Sequence, residues 1–404
     1  MATNTRRTRE PGIYLAVCLV GIYLLLAAVY ARGEQAHQPS TTTHSGSGGK
    51  IRTYYVAADE VEWDYAPGGI DKMMGMKFEG NSLVVTEKGP HRIGTVYRKA
   101  VYREYTDATF TKLKPKAPEW EHAGILGPIL RAEVGDTIRA VFKNHATHPF
   151  SMHPHGVFYN KDSEGSPYDD GTSGADKADD AVPPGGIHTY TWKVPERAGP
   201  GPNDPSSLVW LYHSHTSEAK DVASGLVGAI LVTRRGMADA TGKPRDVDRE
   251  FVSLFMLFDE NQSWYLDHNI ETYTSDAKGV KKAEILQTDA DGNLSLIGGG
   301  FAVANAKLAI NGYIYATGPR MVMKKGERVR WYLLSLGEFF SMHTPHWHGN
   351  VVLRDGKRTD VVPLMQAQME TVDMVPDDPG IWMFHCHVDD HMEAGMMTLY
   401  EVRP

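Results

Sequence analysis

Residues 385–396 read HCHVDDHMEAGM and enclose Cys386, the one cysteine outside the N-terminal apolar segment. Side chains alternate faces along a β-strand, so two histidines separated by one residue present both imidazoles on one face. A thiolate among imidazoles selects a softer metal than imidazoles alone would. Three earlier clusters repeat the histidine spacing, and together the four predict a shared set of metal ions: His153/His155, His213/His215 and His343/His346/His348.

The number of candidate ligands argues against zinc. A structural zinc ion closes four tetrahedral ligands, and twelve candidates are too many for one or two such ions. Cys386, His391 and Met396 follow C-x4-H-x4-M spacing, and His343 lies upstream. Two imidazoles and a thiolate in a plane, with a weak axial thioether, make a blue-copper electron-transfer site. The spacing therefore predicts copper and redox chemistry.

The four clusters resemble the four copper motifs of the multicopper oxidases. The resemblance implies a type 1 copper on His343, Cys386, His391 and Met396. It implies a type 2 copper on His153 and His346. It also implies a type 3 pair on six further histidines, giving four copper ions per subunit: His155, His213, His215, His348, His385 and His387. On this resemblance Cys386, His385, His387 and Asp390 are the candidate catalytic residues, because His385 and His387 flank the thiolate that receives the electron.

Segments outside the clusters resemble ceruloplasmin-type cupredoxin domains, notably residues 51–65 and 155–168. Only two such domains fit this length, so the chain resembles the two-domain, small-laccase group. Ser214 stands where the fourth cluster has cysteine, and we expect no type 1 copper in the first domain. In the two-domain group the first domain of one subunit meets the second domain of its neighbour. The resemblance therefore implies a homotrimer with trinuclear copper sites between adjacent subunits.

Composition predicts the same fold class independently. Forty glycines, twenty-three prolines and many short runs of Val, Ile, Tyr and Thr favour an all-β chain of Greek-key sandwiches. We place domain 1 at residues 51–240 and domain 2 at residues 241–404, with strands at 137–142, 228–233, 251–258, 328–334 and 381–387. No segment shows helical periodicity. The net charge of −8 argues against a nucleic-acid partner.

The N-terminus predicts a location outside the cytoplasm. Residues 12–31 carry no charge and follow three arginines, and as a helix of about 30 Å they would span a bilayer. Arginines on that side favour a cytoplasmic N-terminus. We expect a membrane anchor followed by a flexible linker up to residue 50; cleavage after residue 31 would instead give a secreted or periplasmic protein. The copper domains face outside in both cases.

An acidic stretch, residues 162–186, is interpreted as a solvated loop, with a structural Ca²⁺ site as the alternative, because hard cations bind clustered carboxylates. Met73, Met74 and Met76 are interpreted as core-filling side chains. Tyr159 follows His155 by four residues, so we expect it near the trinuclear site.

Three substrate hypotheses remain open. We expect a laccase-like oxidase of phenols and aromatic amines that reduces O₂ to water. The alternative is a ferroxidase, because Asp390 precedes His391 as an acidic residue does in ceruloplasmin-like iron sites. Those sites also use a glutamate and a histidine at positions that hold Val303 and Leu308 here, and this ranks iron second. A two-domain copper nitrite reductase is the third hypothesis. Such enzymes have no type 3 copper pair, so the presence of His213 and His215 argues against it.

Overall fold

The computed structural model describes residues 49–285, 299–337 and 342–404, together with the backbone of two short strands within 286–298. The predicted anchor and linker lie outside the described residues. Among the residues that are described, no helix is long and apolar enough to cross a lipid bilayer.

The first half of the chain folds into two four-stranded sheets, in the orders β4-β1-β6-β8 and β5-β10-β9-β7. The strand β1 pairs antiparallel with β4 and parallel with β6, and β10 pairs parallel with β5 and antiparallel with β9. The strand bounds are β1 Ile51–Asp64, β2 Ile70–Asp71, β3 Met76–Lys77, β4 Val96–Tyr105, β5 Leu130–Glu133, β6 Thr137–Asn144, β7 His153–Pro154, β8 Ile187–Lys193, β9 Ser207–His213 and β10 Val227–Thr233.

The second half repeats this topology, in the orders β14-β11-β16-β22-β19-β20 and β15-β24-β23-β18. Here β11 pairs antiparallel with β14 and parallel with β16, as β1 does with its neighbours. The bounds are β11 Arg249–Asp259, β12 Gln287–Thr288, β13 Leu294–Ser295, β14 Ala306–Ile310, β15 Met321–Lys324, β16 Val329–Ser335, β17 Met342–His343, β18 Pro345–Trp347, β19 Val352–Arg354, β20 Lys357–Thr359, β21 Leu364–Met365, β22 Met369–Met374, β23 Gly380–Cys386 and β24 Met397–Arg403.

The strand predictions are confirmed, and the described residues also form short helices that the sequence analysis did not predict. Short α-helices of four to eight residues connect the strands: α1 Leu83–Thr86, α2 Glu218–Ser224, α3 Leu266–Tyr273, α4 Phe301–Ala304 and α5 Asp389–Glu393. At one to two turns each, they are too short to leave a periodic apolar pattern, and such helices are held by packing rather than by propensity.

Each sandwich has its own buried core, and a third apolar cluster joins the two. The joint cluster includes Val209 and Leu231 from the first half and Leu254 and Leu334 from the second. Hydrogen bonds cross the same boundary: the Trp63 indole donates to the Gly312 carbonyl at 2.8 Å. The two cupredoxin-like sandwiches are thus packed directly on one another.

Candidate metal centre

The second domain brings His343, Cys386 and His391 into one cluster. His343 ends β17, Cys386 ends β23 and His391 lies on α5. The Cys386 Sγ atom lies 3.9 Å from Nδ1 of His343 and 3.6 Å from Nδ1 of His391, and the two Nδ1 atoms are 3.2 Å apart. Met396 is fully buried in the same core, and its carbonyl accepts a hydrogen bond from the Cys386 amide at 3.1 Å.

The donor set fits a copper ion. Burial lowers the pKa of His343 from 6.5 to about 3 and raises the pKa of the Cys386 thiol. Neutral imidazoles therefore aim lone pairs at a shared point beside a thiol that needs a cation to become a thiolate. The Thr344 amide lies 3.4 Å from the sulfur and can donate to it, as an outer hydrogen bond that orients the ligand.

A quartet of histidines lies on the other side of Cys386. The Nε2 atoms of His348 and His385 are 3.1 Å apart, and the ring centres of His346 and His387 are 5.2 Å apart. Nδ1 of His346 donates to the Asp360 carbonyl at 2.9 Å, and Nδ1 of His385 donates to the Cys386 carbonyl at 2.7 Å. Because Nδ1 carries the proton in both rings, Nε2 of His346 and Nε2 of His385 are deprotonated and can bind a metal. The ligand atoms of His346, His348 and His385 all lie within 4.8 Å of one another.

The first domain holds a matching quartet. The Nε2 atoms of His155 and His213 are 3.1 Å apart, and the ring centres of His153 and His215 are 5.0 Å apart. Nδ1 of His153 donates to the Glu164 carbonyl at 2.7 Å. Burial lowers the pKa of His155 to about 4, which keeps that imidazole neutral.

Equivalent strand pairs build the two quartets. His153 faces His213 across β7 and β9, and His346 faces His385 across β18 and β23. A glycine with positive φ follows His155 in the first quartet and His348 in the second. The φ angle is 73° at Gly156 and 72° at Gly349. A β-carbon at Gly156 would meet the Trp210 ring, and one at Gly349 would meet the Trp382 ring, so both positions require glycine.

The first domain has a hydrogen-bonded network where the second has its cysteine. Asp221 is fully buried and accepts from the Ser214 hydroxyl at 2.6 Å, the Ser217 amide at 2.9 Å and the Trp264 indole at 2.8 Å. The Ser151 amide donates to Ser214 as the Thr344 amide does to Cys386. Neutral and acidic oxygens thus occupy the place of a copper-binding thiolate.

Sequence reasoning missed two acidic residues beside the first quartet. Asp221 gave no signal, because its partners come together only in the folded chain. Glu218 lies with Oε2 3.2 Å from Nε2 of His215, but His215 precedes the helix that begins at Glu218, so no periodic pattern links the two residues. Tyr159 does approach the quartet, with its ring centre 6.0 Å from that of His153.

The residues on which the substrate hypotheses depend are mixed in character. Asp390 is exposed on α5 next to His391, and Glu393 is exposed one turn on. Val303 and Leu308 are half-buried apolar residues and offer no metal ligand.

The core-filling interpretation is wrong for Met74 and Met76, which are exposed.

The acidic loop pairs its carboxylates with lysines. Lys161 lies 2.6 Å from Glu164 and 2.9 Å from Asp170, and Lys177 lies 2.9 Å from Asp170 and 3.3 Å from Asp180. The Ca²⁺ site in this loop stays a prediction.

Among the described residues, the contacts of the two quartets do not overlap. No hydrogen bond or ring contact links them among residues 49–285, 299–337 and 342–404, although each quartet is connected internally. The second quartet opens into a groove of about 520 Å³ that is lined by His346, His348, Asp360 and Trp382, among others.

Comparisons with known proteins identify the family. Residues 122–237 and 288–404 match two family models that are both described as multicopper oxidase, and together these cover more than half of the chain. Human ferroxidase HEPHL1 is 45% identical over 354 residues, mouse hephaestin 41% over 358 and human ceruloplasmin 39% over 356. These matches cover 87–88% of this chain but only 29–30% of each relative, so the chain spans about a third of their length.

Solved structures share the fold. One multicopper oxidase crystal structure has a TM-score of 0.52 at 20% identity and covers 87% of this chain and 89% of its own. A copper nitrite reductase from Nitrosomonas europaea has a TM-score of 0.52 at 16% identity, covering 87% and 94%. At such low identity these structures establish the fold alone. With the family models and the clustered histidines and cysteine, the chain belongs to the multicopper oxidases, with two cupredoxin domains.

Proposed function

We propose that this chain oxidises a reducing substrate one electron at a time at the Cys386 cluster and reduces O₂ to water at the histidine quartets. The observation that carries the proposal is a covalent connection between the two clusters. His385 and His387 of the second quartet flank Cys386 of the other cluster in the chain. Bound copper supplies one-electron acceptance beside the thiolate and four-electron chemistry among the imidazoles. The protein holds these groups in place, and burial lowers the pKa of His155, His343 and His385 so that these imidazoles stay neutral.

The ligand roles proposed for the clusters are those that the resemblance to the multicopper oxidases implies. His343, Cys386 and His391 would hold the type 1 copper, and Met396 would offer it a thioether. His153 and His346 would hold the type 2 copper. The remaining six histidines would hold the type 3 pair, for four copper ions per chain: His155, His213, His215, His348, His385 and His387.

We propose a reduced metal ion, ferrous iron first, as the reducing substrate. The relatives include ferroxidase HEPHL1, hephaestin and ceruloplasmin. They favour this alternative over the phenol oxidase that the sequence predicted. The exposed carboxylates of Asp390 and Glu393 support it, because hard oxygen ligands attract a divalent cation to the edge of His391.

A laccase-like oxidase of phenols is the second candidate. The observation that favours it is the apolar pair Val303 and Leu308, which leaves ferrous iron without two of the ligands expected in a ceruloplasmin-like site. An aromatic reductant needs no such ligands and can lie against an apolar wall.

We also propose that the quartets of different subunits combine in a homotrimer. Each quartet offers four imidazoles, and among the described residues the hydrogen bonds and ring contacts of the quartets stay within each one, which supports the pairing of each quartet with one of a neighbouring chain. A first domain meeting the second domain of its neighbour is a head-to-tail contact, which must close into a ring to avoid open filaments. Light scattering on the copper-loaded protein tests this; a fully active monomer would contradict it.

Steady-state oxygen uptake with ferrous iron and a phenol, compared side by side, tests the substrate. We expect kcat/KM for ferrous iron to exceed that for the phenol. A higher value for the phenol would restore the laccase-like hypothesis, and no oxygen uptake with either would contradict the oxidase.

A further inference from the structure

A cavity of about 760 Å³ lies in the first domain, and none of the side chains that line it belongs to the Cys386 cluster or to a histidine quartet. Strands β1 and β4 and the segment 113–131 form most of its walls. Three half-buried aromatic rings line it: Tyr54, Trp63 and Trp120. Apolar cavities of about 300–1,000 Å³ are typical of sites that bind small molecules. The size and the walls of this cavity therefore fit a small ligand.

Contacts with other groups hold the aromatic walls in place. The Trp63 indole donates to the Gly312 carbonyl at 2.8 Å, and the guanidinium of Arg131 lies 5.2 Å from the centre of the Trp120 ring. The Tyr54 hydroxyl donates to the carbonyl of Arg131 and accepts from its amide, both at 2.9 Å. Walls that are already ordered lower the entropic cost of binding a ligand.

Four cationic side chains line the cavity, and three of them are paired with carboxylates. The pairs are Arg103 with Asp59 at 3.6 Å, Lys114 with Glu104 at 2.9 Å and Arg131 with Glu250 at 2.6 Å. Lys116 is the fourth cation, and it forms no ion pair with any residue that the structure describes. The cavity thus has one cation whose charge is not balanced by the described part of the chain.

The ammonium of Lys116 is fixed at the cavity wall with one donor to spare. Its Nζ atom donates to the Gly124 carbonyl at 2.7 Å and to the Leu126 carbonyl at 3.2 Å. A lysine ammonium has three N–H groups, so one remains for a ligand. A hydrogen bond from an ammonium to an anion is shorter and stronger than one between neutral groups. The third N–H therefore favours an anionic acceptor.

We propose that the cavity is a binding site for a small aromatic carboxylate, which packs its ring against Trp63 and Trp120 and accepts a hydrogen bond from Nζ of Lys116. One unbalanced cation matches a single negative charge. Glu62 and Glu104 also line the cavity and would repel an ion of higher negative charge. The inference rests on this cavity and not on the proposed oxidase function.

Calorimetric titration of the copper-loaded protein at pH 7, in a buffer without carboxylates, tests the charge at the site. The probes are 2-naphthoate and 2-naphthamide, which share a ring system and differ in charge. We expect the parent to bind the naphthoate more tightly, and Lys116→Gln to weaken naphthoate binding by about tenfold while leaving naphthamide binding unchanged. The matched control Lys112→Gln removes the same charge from an exposed lysine outside the cavity and should keep the parental affinities. Circular dichroism checks that each variant is folded.

A second variant tests the aromatic wall. Trp120→Leu should weaken the binding of both probes, because both lose the same ring contact. Parental affinity for both probes in this variant would place the ligand elsewhere and overturn the site. Equal naphthoate affinity in Lys116→Gln and the parent would overturn the role of Lys116. Naphthamide binding as tight as naphthoate binding in the parent, or no binding of either probe at millimolar concentration, would overturn the carboxylate site.

Discussion

Replacing Asp221 with alanine should destabilise the folded protein, because Asp221 bonds to residues of both domains. Asp221 is fully buried and accepts hydrogen bonds from Ser214, Ser217 and Trp264. Each donor left unsatisfied costs about 1–3 kcal/mol. The serine hydroxyl can rotate to another partner, and burying the carboxyl already raises its pKa, which marks a cost that the mutation relieves. We therefore expect a net loss of about 2–4 kcal/mol in the free energy of unfolding.

Asp221→Asn should be milder, at about 1–2 kcal/mol, because the amide keeps one oxygen for two of the three donors. Urea denaturation of the copper-free protein measures both losses, provided that fluorescence and circular dichroism give coincident transitions. The exposed Asp169→Ala is the matched control and should stay within about 0.5 kcal/mol of the parent. The reasoning fails if Asp221→Ala is as stable as that control.

Three further predictions concern the other clusters. Cys386→Ser should abolish the blue absorption and nearly all oxidase activity while the quartets keep their copper; a variant that stays blue would contradict the type 1 assignment. His122 accepts from the Val252 amide across the domain boundary, and burial lowers the pKa of His122 from 6.5 to about 3. The folded state thus binds fewer protons, and its stability should fall by about 1.4 kcal/mol per unit as pH drops below 6.5 towards 3. Urea denaturation should find a shallower dependence in His122→Gln, and equal slopes would refute this. Asp390→Asn should raise the apparent KM for ferrous iron by about threefold more than that for a phenol, and equal effects would argue against iron binding there.

The clustering of the candidate ligands was predictable from sequence, because metal coordination demands particular residue types at strand spacing. The members of each cluster, such as His153 and His155 or His385 and Cys386, lie within a few residues of one another and can be found by their spacing. The network around Asp221 could not be predicted, because Trp264 is forty-three residues away in sequence and meets Asp221 only in the folded chain. The short helices could not be predicted either, because they leave no periodic apolar pattern in the sequence.

The pairing of Met342 with Met365 across β17 and β21 shows the same limit. Met342 and Met365 are ordinary in the sequence, and their pairing depends on the register of a two-residue ladder that tertiary packing sets. The strands themselves were predictable where alternation was strong, as at β6, whose buried and exposed residues alternate. Local pattern thus predicts ligands and strands, while cross-strand register and buried networks need the structure.

The electron stoichiometry of oxygen reduction tests the central claim most directly. An oxygen electrode and a peroxide assay, run together on the copper-loaded protein with ferrous iron, measure the iron oxidised per O₂ consumed. A cluster built from both histidine quartets should take about four electrons per O₂ and release no hydrogen peroxide. A ratio of about two, with peroxide in equal amount to the O₂ consumed, would contradict the assembly of the quartets into one oxygen-reducing site.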